Sequence, residues 1–169
     1  MKRALVFLAV FSLFLAALPA AAQTGTWTAV GSTAVVDESA AGIYAFGTNN
    51  LTYLGGSAST ASIVARFNVT NTWGGSSLDT PPWTTMQMGY LDTNAAVSVR
   101  ADLFQVDPCT GAQTVICSVG SLDSTAPTCR TCSLAAPLNF AANVYYVQVT
   151  LSRTAATATP PSLISLRIF

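Results

Sequence analysis

The chain has 169 residues, of which 51% are hydrophobic and only 8% charged, with seven acids, seven lysines or arginines and no histidine. The absence of imidazole excludes Ser-His-Asp and Cys-His nucleophiles and His-ligated zinc. Outside Lys2 and Arg3 there is no lysine, and five arginines face seven acids for a formal charge of −2. That balance removes Schiff-base and P-loop chemistry and leaves no electrostatic footprint for nucleic acid.

Met1-Lys2-Arg3 is a short cationic start, Ala4 to Leu18 is an apolar run broken only by Ser12, and Pro19-Ala20-Ala21-Ala22-Gln23 supplies small residues where a signal peptidase cuts. This pattern predicts a secretory signal peptide over residues 1–22. The run is shorter than the ~20 apolar residues a membrane-crossing helix needs. The expected mature chain, residues 23–169, is the length of one domain, and no membrane span is expected in it. Its expected location is secreted, whether extracellular, periplasmic or at the cell surface, in an oxidising compartment.

From Trp27 onward the chain reads in twos. Candidate strands are Trp27 to Val36, Gly42 to Gly47 and Leu51 to Leu54, followed by a stretch in which Ile63, Ala65, Phe67 and Val69 alternate with Val64, Arg66 and Asn68. Trp83 to Leu91 comes next, then Val97, Val99, Ala101 and Leu103 against Ser98, Arg100 and Asp102. Thr114 to Val119, Val144 to Arg153 and Leu163 to Phe169 complete the set. Such alternation puts one side chain set on a core face and the other toward water. Clusters such as Gly47-Thr48-Asn49-Asn50, Gly55-Gly56-Ser57 and Pro160-Pro161 break the runs as turns. Ala126 to Asn139, with Pro127 and Pro137 and no sustained alternation, reads as a long ordered loop, and Thr154 to Pro161 as another. About eight to nine short strands without an amphipathic helix predict an all-β, antiparallel β-sandwich of the jelly-roll or Ig-like type.

The four cysteines, Cys109, Cys117, Cys129 and Cys132, fit disulfides in an oxidising compartment. Three pairings are open. Cys109–Cys117 across a hairpin turn and Cys129–Cys132 closing a tight loop are the expected pair. A thiol-disulfide oxidoreductase at Cys129-Arg130-Thr131-Cys132 is the redox alternative, since Arg130 favours a thiolate, but no βαβ pattern surrounds it. No cofactor or metal centre is expected: only one cysteine pair has zinc-type spacing, and Asx turns account for Asp92-Thr93-Asn94 without calcium.

Between Trp73 and Trp83 lies a loop rich in Gly, Ser and Pro that carries Asp79. Aromatic faces beside hydroxyls and a carboxylate are the chemistry of sugar recognition, so Trp73, Asp79, Trp83 and Tyr90 are the candidate ligand-binding residues. The competing role for the indoles is to pack at the base of the loop. Arg66, Arg100, Arg153 and Arg167 lie in alternating segments and are expected to pair with acids on neighbouring strands. The acids are scattered singly, and Asp37-Glu38 in a strand would point to opposite faces, which makes a poor acid/base dyad. A carboxylate-based hydrolase is therefore a secondary alternative, and no catalytic residue is assigned.

The terminal Phe169, preceded by alternating residues, resembles the aromatic end of outer-membrane barrels, and the resemblance implies a small eight-stranded barrel as the membrane alternative. Arg167, Ser165 and Leu163 share its face and interrupt the apolar pattern. The sequence thus favours an exported, non-catalytic β-sandwich that binds a carbohydrate or cell-surface component, or that self-associates through a weakly charged β-rich surface.

Overall fold

The computed structural model describes residues 25–74 and 79–169. The expected signal peptide, and Gly75 to Leu78 of the tryptophan-bracketed loop, lie outside the described residues. Eleven strands are present among the described residues: β1 (Trp27–Val30), β2 (Val35–Val36), β3 (Tyr44–Phe46), β4 (Leu51–Tyr53), β5 (Ile63–Val69), β6 (Thr85–Leu91), β7 (Val97–Val106), β8 (Gln113–Gly120), β9 (Thr128–Ser133), β10 (Val144–Arg153) and β11 (Ser162–Ile168). All pairings are antiparallel. One sheet runs β3-β4-β11-β6-β9, with β1 also on β11, and the other runs β2-β5-β10-β7-β8. From β5 onward the chain passes repeatedly between the sheets, giving a jelly-roll-like sandwich.

The core is what the alternation predicts. Ile63, Ala65, Phe67 and Val69 of β5 are buried, as are Val147, Val149 and Leu151 of β10. They face Met86, Met88 and Tyr90 of β6 and Leu163, Leu166 and Ile168 of β11 in one cluster. The apolar residues thus point inward between two sheets, whereas a membrane barrel would turn them outward to lipid. The sandwich replaces the barrel alternative. The β7–β10 pair is its spine, in continuous register from Val144↔Val106 to Arg153↔Val97.

Two segments depart from expectation. Trp27 to Val36 is not one strand: a 3-10 turn at Gly31–Thr33 carries the chain from β1 in one sheet to β2 in the other. Gly31 is buried, and a Cβ there would lie 2.7 Å from the Leu51 amide nitrogen and closer still to the Leu163 carbonyl oxygen. Only glycine fits. The second departure is β9, in the stretch expected to be a loop. Thr128–Ser133 lacks apolar alternation because it is an edge strand, held by register with β6 from Thr85↔Ser133 to Tyr90↔Thr128.

The cysteine pairing also differs. The disulfide joins Cys117 to Cys132, with Cα atoms 5.9 Å apart, and Cys109 and Cys129 are free and exposed. Cys109 sits in the β7–β8 turn while Cys117 lies opposite Leu103, four residues beyond Gln113. Four residues of strand span about 13 Å, beyond the reach of a disulfide. Cys129 and Cys132 share one strand three residues apart and point to opposite faces. Cys117 and Cys132 instead come from the end strands of the two sheets and clasp that side of the sandwich shut.

The clasp should contribute measurable stability. Replacing Cys117 and Cys132 together by alanine is expected to lower the unfolding free energy by about 2–4 kcal/mol, as a roughly 15-residue closed loop implies. Urea titration followed by tryptophan fluorescence checks it; a change below about 0.5 kcal/mol would mean that the crosslink does not hold the edge.

Candidate functional site

Of the four residues predicted to bind ligand, two are buried, and Asp79 and Trp83 both meet Phe140. Trp83 is buried at 3% exposure. Its indole Nε1–H donates to the Gly25 carbonyl at 3.1 Å, and it packs edge-on against Phe140. Tyr90 is 1% exposed, and its hydroxyl donates to the Leu122 carbonyl while accepting from the Leu122 amide. Both side chains are structural anchors here, with no ring face open to a sugar. Trp73 is half-buried against the core, and Asp79 is exposed, its carbonyl accepting from the Phe140 amide at 2.7 Å. Asp92, in the turn weighed for calcium, is buried, and its Oδ2 accepts from the Ser121 hydroxyl. It pins the loop that leads from β8 to β9.

The arginines follow three different solutions. Arg100 Nε donates to both carboxylate oxygens of Asp102, at 3.0 and 2.9 Å, two residues along the same strand and not across a strand pair. Arg66 meets Asp37 at 3.4 Å, beside its β2 neighbour. Arg153 is buried without an acid: its guanidinium donates to the Ser57 and Ser59 carbonyls and lies over the Tyr53 ring. Arg167 is exposed, stands over Phe169 at 4.7 Å, and has no acidic partner among the described residues.

Redox chemistry at Cys129 and Cys132 loses its basis, because Cys132 is committed to Cys117. The outer face of the β7–β10 pair carries Phe104 stacked on Tyr146, with centroids 4.9 Å apart, and the Tyr146 hydroxyl donating to Gln113 at 2.8 Å. These rings satisfy each other.

A concave site exists at the opposite side from the disulfide. The turn at Gly31–Thr33 leaves β1 along one half of β11 and sets β2 against only Ala65 and Arg66 of β5. Beyond that short pairing, Phe67 and Asn68 border a cleft of about 640 Å³. Its exposed apolar surface comes from Val30 and Val35, with Ala29 half-buried and Trp27, Phe67 and Leu166 buried in the core beneath. The hydroxyls of Thr28, Thr33 and Ser165, the amides of Asn68 and Gln87, and the guanidinium groups of Arg66 and Arg167 supply its polar surface. Its lining includes no Asp, Glu, His, Cys or Lys. The volume falls within the ordinary range of ligand sites. Sequence reasoning missed it because its residues come from β1, the crossover, β5, β6 and β11. The available signal was the outward-facing half of each alternation, where Arg66, Asn68, Gln87 and Arg167 sit.

Asp37 orders the Arg66 wall. It caps the 3-10 turn Glu38–Ala40, its Oδ1 accepting from the Ser39 hydroxyl at 2.7 Å and the Ser39 amide at 3.0 Å. The Ser39 hydroxyl, then the Ser39 amide, and to a smaller degree Arg66 hold its carboxyl below the ordinary value.

Comparison with known proteins comes from structure alone. No protein-family model and no curated protein sequence matches the chain. Among solved structures it is similar to a carbohydrate-binding module of the β-sandwich superfamily (TM-score 0.46, 10% identity, 87% of this chain and 58% of that one). It is also similar to the family 11 carbohydrate-binding module of Clostridium thermocellum in complex with a β-1,3-1,4-mixed-linked tetrasaccharide (TM-score 0.46, 8% identity, 86% and 87%). A third likeness is to infectious bursal disease virus, Gt strain (TM-score 0.39, 7% identity, 85% and 31%). The chain thus spans 58% of the first of these structures. At these identities and TM-scores the likenesses carry no function across.

The Asp37 carboxyl is predicted to titrate below the usual aspartate range. Because its folded pKa is depressed, its stabilising contribution is present above the unfolded value and is lost as pH falls through the folded one. Carboxyl carbon NMR shifts read this directly. Ser39→Ala, which removes the hydroxyl and keeps the amide, should move the midpoint up, and an unmoved midpoint would show that the Ser39 hydroxyl is not the leading cause.

Proposed function

We propose that the protein is an exported, non-catalytic β-sandwich that binds carbohydrate in the cleft beside the Gly31 crossover. The observation that carries this reading is the chemistry of the cleft lining. Val30 and Val35 give an exposed apolar surface, and Asn68, Gln87 and the two guanidinium groups give planar hydrogen-bonding edges around it. A sugar ring presents apolar C–H faces and a girdle of hydroxyls, each a donor and an acceptor. Amides answer both roles, whereas a guanidinium only donates.

The absence of a carboxylate, imidazole, thiol or amine from the lining supports binding over turnover, because none of those acid, base or nucleophilic groups borders the cleft. The Cys117–Cys132 bond supports an oxidising compartment and so accords with export. Loss of Trp83 and Tyr90 to the core moves the proposed sugar site away from the tryptophan-bracketed loop.

Affinity gel electrophoresis against a panel of soluble plant and microbial polysaccharides tests the reading. Asn68→Ala and Gln87→Ala are each expected to weaken retention about 3- to 10-fold, the equivalent of one lost hydrogen bond. Ser118→Ala, on β8 at the disulfide-closed edge, should leave it unchanged. A panel with no retained polysaccharide, or retention indifferent to both amide changes, would overturn the assignment.

A further inference from the structure

The charge of the same cleft narrows its ligand, an inference that rests on the carbohydrate reading above. Among the described residues there are five arginines, and three of them lie outside the cleft. Arg100 is bound through both oxygens of Asp102, Arg153 is buried on the Ser57 and Ser59 carbonyls, and Arg130 donates to the Gly120 carbonyl. The remaining two, Arg66 and Arg167, both line the cleft. No acidic side chain lines it with them. Asp37 engages Arg66 from outside the lining at 3.4 Å, a single contact to one nitrogen between half-exposed groups. Arg167 has only the Phe169 ring beneath it, a contact that leaves the N–H edges of the guanidinium without a carboxylate.

Two of the five arginines thus stand at one concave site whose lining holds no acid, and Arg167 has no carboxylate partner among the described residues. A guanidinium fork matches a carboxylate through two parallel N–H···O bonds, and such charge-assisted bonds are about twice as strong as neutral ones. The neighbouring side chains are neutral: Thr28 pairs opposite Arg167 on β1, and Gln87 pairs opposite it on β6. That combination is built for a ring that carries one anionic group among several hydroxyls. We propose that the cleft selects acidic glycans, with Arg167 as the principal carboxylate contact and Arg66 as the second, so that the ligand class is a uronic-acid polysaccharide.

The test uses the full chain with its disulfide intact, run in affinity gels containing polygalacturonate, the same polymer with its carboxyls methyl-esterified, a sulfated glycan, or a neutral β-glucan. Retention on polygalacturonate is expected to exceed that on the methyl ester at least 10-fold and to weaken as salt rises. Arg167→Gln, at an exposed position that should not disturb folding, is expected to lose about 10-fold or more, and Arg66→Gln less. Equal retention of acid and ester, both lost in Gln87→Ala, would overturn the acidic selection and leave the carbohydrate reading standing. Retention of the sulfated glycan alone would overturn the carboxylate assignment. Uronate retention unchanged by both arginine substitutions would place the contact elsewhere and overturn the proposal. Retention of no polymer would overturn both readings.

Discussion

The close backbone approach at Gly31 is the constraint on which the rest of this structure depends. β11 is paired along one edge by β6 and along the other by two strands in succession, β4 at Ser162 and Leu163 and β1 from Ser165 to Ile168. The register shift between Leu163 and Ser165 marks the junction. At that junction the chain turns away from β1, with Gly31 set directly against the Leu163 carbonyl and the Leu51 amide. A side chain there would hold the crossover off the sheet. The Gly31 amide, donating to the Asn49 carbonyl at 3.2 Å, then ties the turn to the chain leading into β4.

Two unlike edges follow from this arrangement. On the β8–β9 side, a disulfide and a set of loop bonds close the gap between the sheets: the Tyr90 hydroxyl holds Leu122 from both its amide and its carbonyl, and Ser121 is held by Asp92. On the β1–β5 side, β2 contributes only Val35 and Val36 before the chain leaves in the turn capped by Asp37. Such a short edge strand leaves most of β5 without a second partner and opens the cleft. Rigid scaffolding at one edge and an open, polar concavity at the other is an economical way to hold a site on strands, where side chain positions are better fixed than on loops.

The regular strands were legible because their signal is local. The alternation in β5, β7 and β10 reflects burial of one face against a facing sheet, and it survives in the sequence almost residue for residue. β9 was not legible, since an edge strand of Thr, Cys, Arg and Ser is specified by the backbone of β6 and by Cys132, with no alternation of its own. The cysteine pairing was equally hidden: short spacing favoured neighbours, but the strand geometry sends those neighbours apart and joins residues on different sheets. Trp83 and Tyr90 show the limit of residue type as a guide. Each has a polar tip that serves a buried hydrogen bond as readily as a ligand, and the choice is made by where the fold places it, Tyr90 on the buried face of β6 and Trp83 in the segment leading into that strand. The cleft is wholly non-local, so its polar residues read singly as ordinary outward positions until the fold brings them together.

The most direct test of this account is the location of binding, mapped by amide chemical-shift changes as a galacturonic acid oligomer is titrated into the isotope-labelled protein. The shifts are expected to cluster at residues 27–33, 66–68, 87 and 165–167, with the β8 and β9 amides unmoved. Shifts centred on Trp73 and Asp79, or on the outer face that carries Phe104 and Tyr146, would contradict it.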